Sequence, residues 1–307
     1  MDMMLKSLVR RAMIQALQRS EKISKLYRLA SPCNLCPRKC GAMRDKGEVG
    51  YCRAPMTVKI SSTGPHPGEE PPISGKNGSG TIFFTYCTMS CKFCQNYPIS
   101  QLHNGYEVTV EKLAEIMLEQ QARGCHNVNL VTPTHYAPQI AEAIEIAKAG
   151  GLSIPIVYNC SGFESVEVLK FLEGFVDIYL PDAKYDSDGE AIRNSGVVKY
   201  VENNRAALVE MYRQVGNLVM DENGIAKKGL IIRHLVLPEG RAGTEGVLGW
   251  IAKNIPNVHL SLMSQYFPAH RALSEPGLNR NITEDEYEEA LDCLEEVGIT
   301  NGWTQPF

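Results

Sequence analysis

The sequence predicts an α/β fold, an incomplete parallel (β/α)6 TIM-like barrel with an N-terminal helical and four-cysteine segment and a C-terminal helix. Three observations carry this expectation. From residue 81 onward, short strands that are almost wholly apolar alternate with helical stretches, and strands of that kind are buried on both faces. Six such strands, with five helices between them, fit between residues 81 and 270. The predicted strand ends are polar, as they are at a barrel mouth where loops converge. A doubly wound open sheet satisfies the same alternation, and spacing does not separate the two.

Taken in order, the chain divides into residues 1–30, 31–80, 81–270 and 271–307. In the first part Leu5, Leu8, Val9, Ala12, Met13, Ala16 and Leu17 recur at helical spacing among Lys6, Arg10, Arg11 and Arg19. That pattern is an amphipathic helix, without the continuous apolar stretch and cleavage site of a signal peptide. Its expected use is packing against the next domain. There Cys33, Cys36, Cys40 and Cys52 stand at C-x2-C-x3-C-x11-C. Four thiols so spaced close a metal site, and Gly41, Gly47 and Gly50 let the loop fold back on it. Zinc would make the segment a structural clip, and a second iron–sulfur cluster would make it an electron relay.

Residues 64–80, dense in Gly and Pro, are expected to lack regular structure. Position favours a linker, while His66, Glu69 and Glu70 suit a loop over the site. The strands are then expected at 81–85, 128–132, 154–158, 176–180, 230–237 and 258–263. Helices are expected at 110–123, 138–149, 165–172, 203–215 and 246–253. Thr283 and Glu286 form a capping box that starts a helix running to about residue 297, ended by Gly298. Ile282 and Tyr287 pin its start, and Trp303 to Phe307 reach for the mouth.

The stretch that organises the chain is the loop after the first predicted barrel strand, with Cys87, Cys91 and Cys94 at C-x3-C-x2-C. Three thiolates so placed can hold three irons of a four-iron cube and leave the fourth without a protein ligand; the alternatives are three incidental core cysteines or a zinc knuckle lacking one ligand. An open metal position separates a reactive centre from a structural one. Seven of the 10 cysteines fall in the two clusters, which in a reducing cytosol means metal and not disulfides. With 31 basic and 35 acidic residues the net charge is −4, which gives no field for nucleic acid. No apolar run is long enough for a membrane span. The expected location is the cytoplasm.

CTMSCKFC resembles the iron–sulfur signature of the radical S-adenosylmethionine (SAM) enzymes. The preceding IFF and the following Gln95-Asn96 resemble the same region of pyruvate formate-lyase activating enzyme and its homologues. The resemblance implies a [4Fe–4S] cluster on Cys87, Cys91 and Cys94, with SAM chelating the open iron. It implies an oxidoreductase in which one electron cleaves SAM to a 5′-deoxyadenosyl radical that abstracts hydrogen from a substrate. The electron would come from an external donor such as flavodoxin or ferredoxin. The substrate would be a glycine of a partner protein, or another peptide or small molecule.

Polar strand ends supply the candidate cofactor cradle: Thr132 to Tyr136, Asn159 to Gly162, Pro181 to Lys184, Arg233-His234 and Ser264 to Tyr266. Singly, such residues are usually caps or turn formers. The resemblance places Phe93 near adenine, matches Asp182-Ala-Lys184 to an Asp-x-Lys element of the SAM pocket, and sets Arg233 against the methionyl part. It assigns Asn159 and Ser161 to ribose or carboxylate. TPTHY replaces the family's glycine-rich GGE-like turn, so Thr134 or a backbone carbonyl takes that contact. Gln265 completes the cofactor-binding set. His135 and His234 read as core residues more than as proton donors, and no side chain is assigned a catalytic role. Two other classes stand against this reading: a non-catalytic iron–sulfur electron carrier, and a zinc hydrolase, for which histidine and carboxylate ligands at the mouth are missing.

Overall fold

The computed structural model describes residues 21–307, so most of the expected first helix lies outside the described residues. Ten strands form one open sheet: β1 (Val58–His66), β2 (Ser79–Phe84), β3 (Tyr106–Val108), β4 (Val128–Val131), β5 (Ile156–Cys160), β6 (Ile178–Pro181), β7 (Val219–Met220), β8 (Ala226–Leu235), β9 (His259–Met263) and β10 (Gly302–Thr304). The order is β10-β9-β8-β6-β5-β4-β2-β1-β3, with β7 paired to β8. From β2 to β10 neighbours along this path are parallel, whereas β1 and β3 extend the other edge antiparallel. The six expected barrel strands are all present, and the sheet does not close.

The helices are α1 (Glu21–Ala30), the single turns α2 (Pro71–Ser74) and α3 (Tyr97–Ser100), α4 (Val110–Ala122), α5 (Ala137–Ala149), α6 (Val166–Leu172), α7 (Asp188–Ser195), α8 (Tyr200–Val215), α9 (Thr244–Asn254) and α10 (Glu284–Glu296). Thr109 caps α4 by accepting from Lys112 N, and Thr283 with Glu286 forms the expected capping box on α10. Helix α1 packs on α5 and α6. Among the described residues no helix is long and apolar enough to cross a membrane.

Residues 64–80 correct the expectation of an irregular linker. Gly64 to His66 finish β1 and pair with β2, and Pro71-Pro72 open the short α2, where prolines have no N–H to lose. Pro65 is tolerated because β3 pairs with β1 only at residues 58–60. Ile73 of α2 packs against Val157, Ile178, Leu180 and Ile231 inside the barrel. The segment therefore plugs the end of the barrel opposite the cysteine loop.

Strands β5 and β6 begin two residues later than expected, and Asp177, just before β6, accepts through Oδ2 from Ile156 N at the start of β5 at 2.9 Å. Strand β8 begins earlier, at Ala226, where Lys227 and Lys228 sit in a hairpin with β7. Of the C-terminal tail, Gln305 reaches the loop after β9, whereas Trp303 packs with the plug at the other end. Gln305 Oε1 accepts from Ser264 N and Gln265 N at 3.1 and 3.3 Å, and Tyr287 OH donates to Gln305 O at 2.8 Å.

Candidate active site

The cysteine loop leaves β2 through Tyr86, whose φ of 76° turns the chain sharply. Met89 N donates to Cys87 Sγ at 3.4 Å, and Gln101 Nε2 donates to Cys91 O at 2.9 Å. The C-terminal end of α7 braces the loop. Ser90 N and Lys92 N donate to Ser195 O and Asn194 O at 3.0 and 2.8 Å, and Ser195 Oγ donates to Cys91 Sγ at 3.0 Å. Arg271 donates to Ser90 O at 2.7 Å from the opposite side. Burial, then the Cys91 and Cys94 thiols beside it, push the Cys87 thiol up, so the three sulfurs feel one another.

A cavity of about 220 Å³ opens beside the loop, lined by Cys91, Phe93 and Cys94 together with Asp182, Lys184, Arg233 and Gln265. Asp182 lies just past the end of β6, one strand over from Arg233 of β8, and the two form a parallel bridge. Lys184 Nζ reaches Asp182 Oδ2 at 2.6 Å and Arg233 Nε reaches Oδ1 at 3.0 Å. Burial opposes ionisation of Asp182, but Lys184 and then Arg233 hold its carboxyl below the usual range. Arg233 Nη2 also donates to Asn159 Oδ1 at 2.6 Å, and Nη1 stands 3.6 Å from Glu69 Oε2. One guanidinium thus ties β5, β6, β8 and the plug together beneath the cavity.

Five sequence-predicted cofactor residues (Phe93, Asp182, Lys184, Arg233 and Gln265) share this cavity with Cys91 and Cys94. Asn159 stands one step behind, on Arg233. Thr134 and Ser161 are not among the residues lining it. The Thr134 hydroxyl donates to Glu164 Oε1 at 2.6 Å, and Ser161 O accepts from Tyr200 OH at 3.0 Å. His135 and His234 are core residues, as read. Nε2 of His135 meets Thr85 O at 2.8 Å, Nδ1 of His234 meets Ala183 O at 2.6 Å, and burial pulls the two down to about 3 and about 4. Sequence reasoning missed Ser195 and left Glu69 as a loop contact; the acidic pair Glu69-Glu70 was the available signal.

Among the described residues, no three His, Cys, Asp or Glu side chains close around a point where a single metal ion would sit. A four-iron cube asks for something else, because its thiolates bind separate irons. Three thiols on one braced loop, two of them facing a buried acid and two cations across a small cavity, suit that group and a zwitterionic cofactor beside it.

An open parallel barrel with such a loop at its mouth defines a barrel metalloenzyme. Residues 81–221 match the radical SAM superfamily. The uncharacterized protein MJ0674 of Methanocaldococcus jannaschii is 30% identical over 279 residues, covering 87% of this chain and 75% of the relative. Among solved structures, Streptococcus suis SuiB bound to S-adenosylmethionine superposes with a TM-score of 0.50 at 12% identity, over 72% of this chain and 48% of SuiB. Methylornithine synthase (PylB) gives 0.49 at 17% identity, over 96% of this chain and 73% of that one. The chain belongs to the radical SAM superfamily, whose members are enzymes that hold a [4Fe–4S] cluster and SAM.

Proposed function

We propose that this enzyme abstracts a hydrogen atom from a substrate presented at the barrel mouth, and that the narrower reading is an activase-like reaction on a glycine Cα of a partner protein. The observation that carries the proposal is the shared cavity, in which Cys91 and Cys94 face Asp182, Lys184 and Arg233. A cluster with SAM bound supplies one-electron cleavage of a sulfonium and the means to abstract hydrogen. This chain's residues supply position. Asp182 offers an anionic contact to an ammonium group, Lys184 and Arg233 offer cationic contacts to a carboxylate, and Phe93, edge-on to Tyr266 at 5.7 Å, offers an apolar wall to a purine. An external one-electron donor of the flavodoxin or ferredoxin kind would reduce the cluster.

The activase-like reading rests on the Asp182-x-Lys184 and Arg233 geometry. Reaction on another peptide or small molecule is favoured by one observation: the Thr134 hydroxyl is committed to Glu164, so the turn after β4 does not offer it to the cofactor. Co-incubation with candidate glycyl-radical enzymes, SAM and a reductant, followed by electron paramagnetic resonance, separates the two. A glycyl doublet supports the activase; its absence with every partner, while 5′-deoxyadenosine still forms, rejects it.

A further inference from the structure

Residues 31–57 contain only one short turn of regular structure, Arg44–Lys46, yet they enclose a distinct small cavity. Cys33, Cys36, Cys40 and Cys52 line it, together with Arg38, Thr88 and His135. All four cysteines are free thiols. Cys33 and Cys36 are buried and Cys52 is half-buried, so three of the four thiols are held away from bulk solvent.

Two buried side chains near these cysteines, His135 and Arg44, each keep one atom without a hydrogen-bond partner. His135 is 2% exposed, its Nε2 is committed to Thr85 O, and its Nδ1 has no hydrogen-bond partner. Arg44, 3% exposed, donates only to the carbonyls of His135 and Pro55, at 2.8 and 2.6 Å. Its Nε is unpartnered, and it makes no ion pair among the described residues. Cys33 and Cys52 are within its electrostatic reach. A buried guanidinium with no anion is costly, by several kcal/mol in proteins generally. Four neutral thiols do not answer that charge.

We propose that Cys33, Cys36, Cys40 and Cys52 bind a second, thiolate-held metal group, and that its net negative charge is what Arg44 is buried to meet. Four thiolates around zinc, or around an oxidised four-iron cube, carry a net charge of about −2. The sulfurs line the cavity without closing on one point, so metal binding would require their side chains to rotate toward it. His135 faces the group from the barrel side, and Thr88, next to Cys87, forms part of the same wall.

The test uses the full chain carrying Cys87→Ala, Cys91→Ala and Cys94→Ala together, which removes the barrel cluster and makes the result independent of the function proposed above. Purified anaerobically, this variant is expected to retain about four irons with sulfide, or about one zinc, per chain. Adding Cys36→Ser and Cys52→Ser is expected to abolish that content. A folded triple variant with neither iron nor zinc overturns the proposal. If the triple variant does not fold, the wild-type chain is compared with Cys36→Ser/Cys52→Ser: loss of about four irons or one zinc supports the site, and unchanged metal content overturns it.

Discussion

Arg233 and Asp182 are joined across neighbouring strands, Nε to Oδ1 at 3.0 Å, beneath the cavity that holds Cys91 and Cys94. The Asp182 carboxylate is shared with Lys184, so one anion holds two buried cations apart. Asp182→Asn leaves those cations facing each other with a neutral amide. The expected cost is about 3 kcal/mol in urea unfolding, since breaking a buried pair strands a charge. Affinity for SAM in the reconstituted protein should fall roughly tenfold or more, measured by equilibrium dialysis.

Ser195 Oγ, at 3.0 Å from Cys91 Sγ, is a positioning contact and not a ligand. In Ser195→Ala the cluster should still assemble, with its visible absorbance intact. Its midpoint potential should move to a more negative value, because a hydrogen bond that stabilises charge on the sulfur is gone. Redox titration against dye mediators reads the shift.

Gly162 sits where a Cβ would meet Asp182 O and Asn204 Nδ2, and its φ is 70°. Gly162→Ala combines left-handed strain with pressure on the backbone of Asp182. We expect a stability loss of about 2 kcal/mol, together with weaker SAM binding. An equally stable variant with unchanged affinity would remove Gly162 from the account.

Glu286 accepts from Arg280 at 2.7 and 2.8 Å and from the backbone N–H groups of Thr283 and Glu239 at 2.8 and 2.7 Å. The Arg280 guanidinium, more than the backbone donors, pulls its carboxyl down to about 2. Because the folded value lies below the unfolded one, the stabilisation is present above about pH 4.5 and is lost as pH falls toward 2. Glu286→Gln should therefore cost about 1 kcal/mol at pH 7, and the difference from wild type should shrink at pH 3. Urea midpoints at the two pH values check the sign.

The barrel was legible because strands buried on both faces must be nearly all apolar, as Ile178 to Pro181 and Ile156 to Cys160 are. The flanking strands were not. Strand β1 carries Ser61, Ser62, Gly64 and Pro65, and the first residues of β8 include Lys227 and Lys228, so neither stretch looks buried in one dimension, although the rest of β8 was expected. Helix α7 is short and polar, with Ser187 and Gly196 as its only stop signals. The three-cysteine loop was plain from spacing, as was the Asp182–Lys184–Arg233 group once the strand ends were set side by side. Thr134 and Ser161 failed to reach the cavity for a reason that lies outside local sequence. Thr134 is claimed by Glu164, a buried acid 30 residues on, and the Ser161 carbonyl is claimed by Tyr200.

The central claim is that Cys87, Cys91 and Cys94 present a cluster with one open iron to SAM at the mouth of this barrel. The direct test is anaerobic reconstitution with iron and sulfide, reduction with dithionite, and quantification of 5′-deoxyadenosine from added SAM in wild type and in Cys91→Ala. The account predicts 5′-deoxyadenosine from the wild-type protein and none from the variant, which should also lack the cluster's absorbance. Equal 5′-deoxyadenosine formation by Cys91→Ala, or none by a wild-type chain loaded with its iron, would contradict it.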